Sequence, residues 1–322
     1  MTTLQYALLA SALALSAVAP GAYADAYPSK PIRLVVPYPP GGPVDFVARA
    51  VSTKLGAELG QTIVIDNKPG AGGNIGAADV ARAKPDGYTL LVVYDSHAVA
   101  NLFYKDLKFD AFNSFDYISL IGYSPLVLVT SKSSGLDTLP KFISAAKANP
   151  GKFNQAITGY AGNSTLKVEQ LKQATGIKTT TVPYGGAAAA LSAIAGGQVD
   201  VLMASMPVVL SLVKGDKMNA LAVGTKSRSP LLPETPVISD TVPGFEAGAW
   251  IGLVGPKGLP PAVEAKIGDA LRTSLKDAQV KRILDEGGFV SLGTDSKQFV
   301  ERARADYRDT KKMISDLNLK IE

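Results

Sequence analysis

Gly41 and Gly42 follow the apolar, β-branched run Ile32–Val36 and precede Val44, Val47, Val51, Leu55 and Leu59, which recur at helical spacing. Residues 37–43 can continue neither element, so Tyr38, Pro39, Pro40 and the two glycines form a turn that feeds a helix N-terminus; Gly60 stops that helix. Free backbone N–H groups and the positive end of the helix dipole gather at such a turn, and they suit a carboxylate, a phosphate or another anion. A βα turn with no ligand has the same pattern. Ser96 and His97 stand just past the strand at residues 89–94, on the edge where doubly wound sheets bind ligands.

Catalytic chemistry is hard to assemble from the remaining residues. His97 is the only histidine and there is no cysteine, which excludes a multi-histidine metal site, thiolate catalysis and a disulfide scaffold. No G-x-S-x-G elbow offers an activated serine. The glycine loop at 70–76 follows a strand and opens a helix, but Ile75 occupies the position of the third glycine of a dinucleotide fingerprint, so the loop reads as a structural turn. No metal or cofactor is expected. The formal net charge of +5 is spread without a dense Lys/Arg block, so nucleic acid is not an expected partner.

The elements that must position these residues alternate along the whole chain. Strand signals at 62–66, 89–94, 117–130, 154–158, 179–183, 199–203, 220–223 and 250–254 are separated by helical patterns near 139–148, 166–174 and 187–195. Two polar-faced helices are expected to close the chain. Repeated βαβ units mean parallel sheets covered by helices.

Residues 1–24 carry no charged side chain, residues 8–18 are uniformly small or apolar, and Ala22-Tyr23-Ala24 offers a cleavage site, so a secretory signal peptide is expected. An uncleaved anchor is the alternative, because no Lys or Arg precedes the apolar stretch. About 298 residues remain, too many for one compact core, which predicts two domains.

The chain resembles the Bug-type periplasmic solute receptors of the tripartite tricarboxylate transporters. The resemblance is carried by YPSKPIRLVVPYPPGG with Asp45 and Arg49, GQTIVIDNKPGAGGNIG, AKPDGYTLL, Ser96-His97-Ala98, Val182-Pro183-Tyr184-Gly185-Gly186, GGQVDVL, LPETPVISDTVPGFE and Trp250-Ile251-Gly252-Leu253. It implies an α/β, two-lobed type II periplasmic-binding-protein fold with two strand crossovers forming the hinge. The β stretches at 117–130 and 248–254 suit the crossovers. The lobes would be 25–124 with 246–322, and 125–245. In such receptors backbone amides, hydroxyls and ordered water hold carboxylates. The implied ligand-binding set is Tyr38, Pro39, Pro40, Gly41, Gly42, Ser96, His97, Thr158, Gly159, Tyr160, Asn163, Ser164, Tyr184, Gly185, Gly186 and Ser205. Asp45, Arg49 and Asp200 read as structural, and Trp250 as core or hinge packing. Residues 155–165 depart from the family pattern, with Gln155 and Thr165 in place of a tyrosine and a histidine, which leaves the ligand open.

The function implied is capture of a small organic carboxylate, a dicarboxylate or an aromatic one such as terephthalate, and its delivery to membrane transporter subunits by a periplasmic monomer. An exported α/β hydrolase acting on a small carboxylate ester is the alternative; it would need a second histidine or a nucleophile elbow. The effector lobe of a regulator is a third class, and would need a DNA-binding helix-turn-helix.

Overall fold

The computed structural model describes residues 27–157 and 163–316, without the Asn163 side chain. The expected signal peptide therefore lies outside the described residues, as do Thr158, Gly159 and Tyr160.

The first lobe opens with β1 (Ile32–Val36), whose residues are almost all buried because helices cover both faces of the sheet. α1 (Pro43–Leu59) starts on Pro43, whose fixed φ and missing N–H suit the first helical position, and ends at Gly60 with φ 71°. Its stripe of Val44, Val47, Val51, Leu55 and Leu59 is buried as the spacing predicts, and each such side chain contributes about 1.5–3 kcal/mol. β2 (Ile63–Asn67), α2 (Asn74–Ala81), β3 (Thr89–Tyr94) and α3 (Ser96–Phe103) follow. β2 and β3 flank β1 in parallel.

β4 (Phe115–Ser131) then runs out of this lobe into the next. There α4 (Leu139–Ala148), β5 (Asn154–Ile157), α5 (Asn163–Thr175), β6 (Thr180–Pro183), α6 (Ala187–Ala195), β7 (Val201–Ser205), α7 (Met206–Lys214) and β8 (Met218–Val223) build a second sheet. β5 pairs in parallel with β6 and β7, whereas β7 and β8 both run antiparallel to β4. β9 (Gly248–Pro256) returns between β3 and β4, and α8 (Pro261–Lys276), α9 (Ala278–Glu286), β10 (Val290–Ser291) and α10 (Ser296–Asp316) complete the chain. The chain thus closes with three helices, not two: Asp277, extended at ψ 132°, ends α8 and caps α9 through its side chain.

One continuous strand order, β2-β1-β3-β9-β4-β7-β5-β6, joins both halves through β4. Up to Pro125, β4 pairs with β9; from Leu126 it pairs with β7. At that junction three backbones are tied together. The Leu126 amide donates to Ala247 O at 3.0 Å, the Gly224 amide to Leu126 O at 2.8 Å, and the Ala247 amide to Gly224 O at 2.9 Å. The approach is so close that a Cβ on Gly224 would stand 2.0 Å from Ala247 O. The apolar clusters separate in the same way. One gathers β1, α1 and α8 residues around Ile32 and Ile267; another gathers α4, α5 and β7 residues around Phe142 and Met203. The fold is two-lobed α/β.

Candidate ligand-binding site

At the end of β1 the turn expected to offer amides is largely committed to itself. Asp45, 2% exposed in the first turn of α1, accepts the Gly41 amide at 2.9 Å, Asn67 Nδ2 at 2.9 Å and Arg49 Nε at 2.8 Å. Burial pulls its pKa upward, but the bonds from Arg49, Gly41 and Asn67 outweigh it and hold the carboxyl below its ordinary value. The Gly42 amide reaches Pro39 O at 3.4 Å. Gly41, with φ 80°, is the residue that needs glycine's freedom; Gly42 sits at φ −76°, open to any residue. Pro39 and Pro40 are exposed.

Behind this turn, Tyr38 is half-buried and its hydroxyl bonds Ser96 Oγ at 3.2 Å and Gly72 O at 3.3 Å. Burial pushes the phenol up to about 12, so it stays a neutral donor and acceptor. The glycine loop that resembles a cofactor motif is the seat of this ring: a Cβ on Gly73 would stand 3.1 Å from the Tyr38 hydroxyl. Ser96 and His97, expected just past the strand, are the first two residues of α3. Ser96 stays half-exposed beside Tyr38. His97 turns inward and is 7% exposed. It stacks on Phe109 at 5.5 Å and meets Phe115 edge-on at 4.8 Å. Burial lowers its pKa to about 4, against the opposing effect of a hydrogen bond to the Ala111 backbone, so the ring is neutral. His97, expected as a wall of the cleft, is thus packed into the aromatic cluster behind Ser96.

In the second lobe, Tyr184 is half-buried and its amide donates to Ile157 O at 2.9 Å, which extends the β5–β6 ladder. Gly185 and Gly186 follow, with no atom within 4 Å of where either Cβ would be, and Gly186 precedes the first turn of α6. The space beside Gly41 is equally open, but its amide is taken by Asp45. Ser164 lies half-buried in the first turn of α5, where Asn163 is the first residue. Ser205 is 8% exposed at the end of β7. The adjoining N-terminus of α7 is packed by the other lobe: a Cβ on Gly288 would meet Met206 Cγ at 2.8 Å. Asp200, as expected, is structural: its carboxylate accepts the Asn154 amide at 2.7 Å. Trp250 is core, 1% exposed, and its indole donates to Asp306 at 2.5 Å.

The two lobes line common space on either side of these turns. On one side Gly41, Gly42 and Phe46 face Pro207, Val208 and Ser211. On the other, Asp95, Ser96 and Val99 face Leu166, Lys167 and Gln170, with Asp306, Asp309 and Met313 of α10 closing the end. Lys167 and the α10 residues were not singled out in the sequence. A lysine on a predicted helix gives no sign that it points into a cleft, and α10 joins the site only through the tertiary fold. Burial lowers the pKa of Lys167, opposed by the charges of Asp306, Asp309 and Asp95. Among the described residues no group of His, Cys, Asp and Glu could hold a metal ion.

Two α/β lobes joined by a shared strand, with βα turns meeting across a cleft, define a ligand-clamping solute-binding protein. The family model described as the tripartite tricarboxylate transporter family receptor matches residues 47–319, and the chain belongs to that family of periplasmic receptors. It is a receptor, not an enzyme. Three of the solved structures similar to it are known by their names or ligands. The periplasmic binding protein BugD is 30% identical with a TM-score of 0.79, covering 91% of this chain and 99% of its own. Rpa4515 of R. palustris, solved with adipate, is 29% identical with a TM-score of 0.82, covering 90% and 97%. MatC of Rhodopseudomonas palustris, solved with bound malate, is 29% identical with a TM-score of 0.75, covering 89% and 98%. No helix among the described residues is long and apolar enough to cross a membrane.

Proposed function

We propose that this chain captures a small dicarboxylate between its lobes in the periplasm, where its leader exports it, and delivers it as a monomer to the membrane subunits of a tripartite tricarboxylate-type transporter. The observation that carries the reading is a pair of turns that open helices on different lobes, Ser96 at the start of α3 and Gly185-Gly186 before α6, with open space beside the two glycines. Helix N-termini there favour carboxylates, and two of them on opposing lobes suit a ligand with two. Adipate and malate, the ligands of the two R. palustris structures, are both dicarboxylates. Tyr38 and Tyr184 give the cleft aromatic walls, so an aromatic diacid such as terephthalate is within the proposed range. The lobes close about a hinge at residues 125–126 and 246–248, with 25–124 and 246–322 on one side and 125–245 on the other.

A thermal-shift and calorimetry panel tests this, because a ligand that binds only the folded state raises the melting temperature. Adipate, malate or terephthalate should raise it, and glucose and neutral amino acids should not. Tight binding confined to the sugars or neutral amino acids would end the dicarboxylate reading.

A further inference from the structure

Behind Tyr38 lies a small cavity between the ends of β1 and β3 and the first turn of α2, lined by Pro37, Gly73, Asn74, Val93, Tyr94 and His97 among others. Two of its polar atoms are buried and make no hydrogen bond: Asn74 Nδ2 and His97 Nε2. They differ in what they need. Nδ2 of an amide is a donor only. The His97 ring is more than nine-tenths buried among aromatic side chains, and its hydrogen bond to the Ala111 backbone takes the ring proton to the other nitrogen. Nε2 is therefore an acceptor. One small cavity thus presents an orphan donor from one βα turn and an orphan acceptor from the next.

A molecule that satisfies both must accept and donate at once. An anion would set lone pairs against Nε2, and a cation would have nothing to offer Asn74. The space admits about one water, and the walls are polar enough to hold it. We propose that this cavity is an internal water site, in which a single water accepts from Asn74 Nδ2 and donates to His97 Nε2. The water joins the N-terminus of α2 to that of α3 directly behind the Tyr38 ring. Asn74 and His97 then act as positioning residues: they hold the wall of the cleft that the Tyr38 hydroxyl completes with Ser96 and Gly72. This role is independent of which ligand the cleft takes.

The test needs no ligand. His97 is the only histidine, so ¹⁵N-histidine labelling of the whole protein reports this ring alone. The expected spectrum is that of a neutral ring whose Nε2 is unprotonated and accepts a hydrogen bond. A high-resolution crystal structure should show one ordered water within about 2.7–3.2 Å of both atoms. In Asn74→Ala the Nε2 resonance should move towards the value of an unbonded acceptor. A dry cavity in the wild-type crystal, a proton on Nε2, or a protein atom bonded to Nε2 would each overturn the site. An Nε2 resonance unchanged in a folded Asn74→Ala would overturn the bridge between the two residues.

Discussion

Asp45 Oδ2 accepts the Gly41 amide at 2.9 Å while Asp45 Oδ1 accepts Asn67 Nδ2 at 2.9 Å, so one buried carboxylate fastens the β1 turn to the end of β2. This carboxylate in the first turn of α1 is saturated by donors, with Arg49 supplying the countercharge. Asp45→Ala should therefore loosen both turns, at about 1–3 kcal/mol for the buried donors left unpaired. Urea unfolding measures the loss. A change of a few tenths would mean that water replaces the carboxylate and that the turn does not depend on it.

The crossing of three backbones makes a sharper test of the hinge. Gly224→Ala puts a methyl 2.0 Å from a backbone oxygen, where no flexible side chain can yield. A loss of at least about 2 kcal/mol is expected, in line with overpacking. Gly185→Ala, with nothing within 4 Å of the new methyl, should leave the melting temperature within a degree or two. The space beside Gly185 is where the ligand is placed under the proposed function, so the same variant should weaken dicarboxylate binding about tenfold, or 1.4 kcal/mol. Unchanged affinity would move the ligand away from that turn.

His97 gives a pH dependence with a definite sign. Its pKa is about 4 in the folded chain and near 6.5 when unfolded, because burial disfavours the charged ring. Between these values the unfolded chain binds a proton that the native one refuses. Stability should therefore fall as pH drops from about 6.5 to 4, by about 3 kcal/mol in all. Asp45, Asp79 and Asp116 are held below their ordinary values, so their losses come lower still. His97→Phe should flatten the curve across this window. Equal slopes in both proteins would assign the dependence to other groups.

Strand positions were largely legible, because β-branched runs bounded by Gly and Pro are a local signal. β3 begins and ends where its residues say, and the long stretch expected at 117–130 is the core of β4. β7 slips to Val201–Ser205 from an expected 199–203: Val199 is buried, but ladder pairing starts only at Val201. The eight-residue α3 was missed, since SHAVANLF is too short to show a period. The commitment of the Gly41 amide to Asp45 was also missed. A glycine pair before a helix announces free amides, and only the backbone geometry shows which of them a neighbouring side chain has taken. The Asp45–Arg49 pair itself was readable, because i and i+4 meet on any helix.

The last prediction concerns closure. Lys167, on α5 of one lobe, stands at a pocket it shares with Asp95, Asp306 and Asp309 of the other, and the charges of those carboxylates act on it. Burial of the ammonium is the larger effect and lowers its pKa, so covering the charge costs more than Asp306, Asp309 and Asp95 return, and Arg302 on α10 adds to the cost. Lys167→Met keeps the length of the side chain and removes the charge. The unliganded variant should be more closed, with a smaller radius of gyration in small-angle scattering, because closed forms no longer bury an ammonium. Affinity for whichever dicarboxylate the wild type binds should rise roughly fivefold, which is about 1 kcal/mol, since the ligand no longer has to offset that cost. If scattering curves of the wild type and the variant superimpose with and without ligand, Lys167 takes no part in closure.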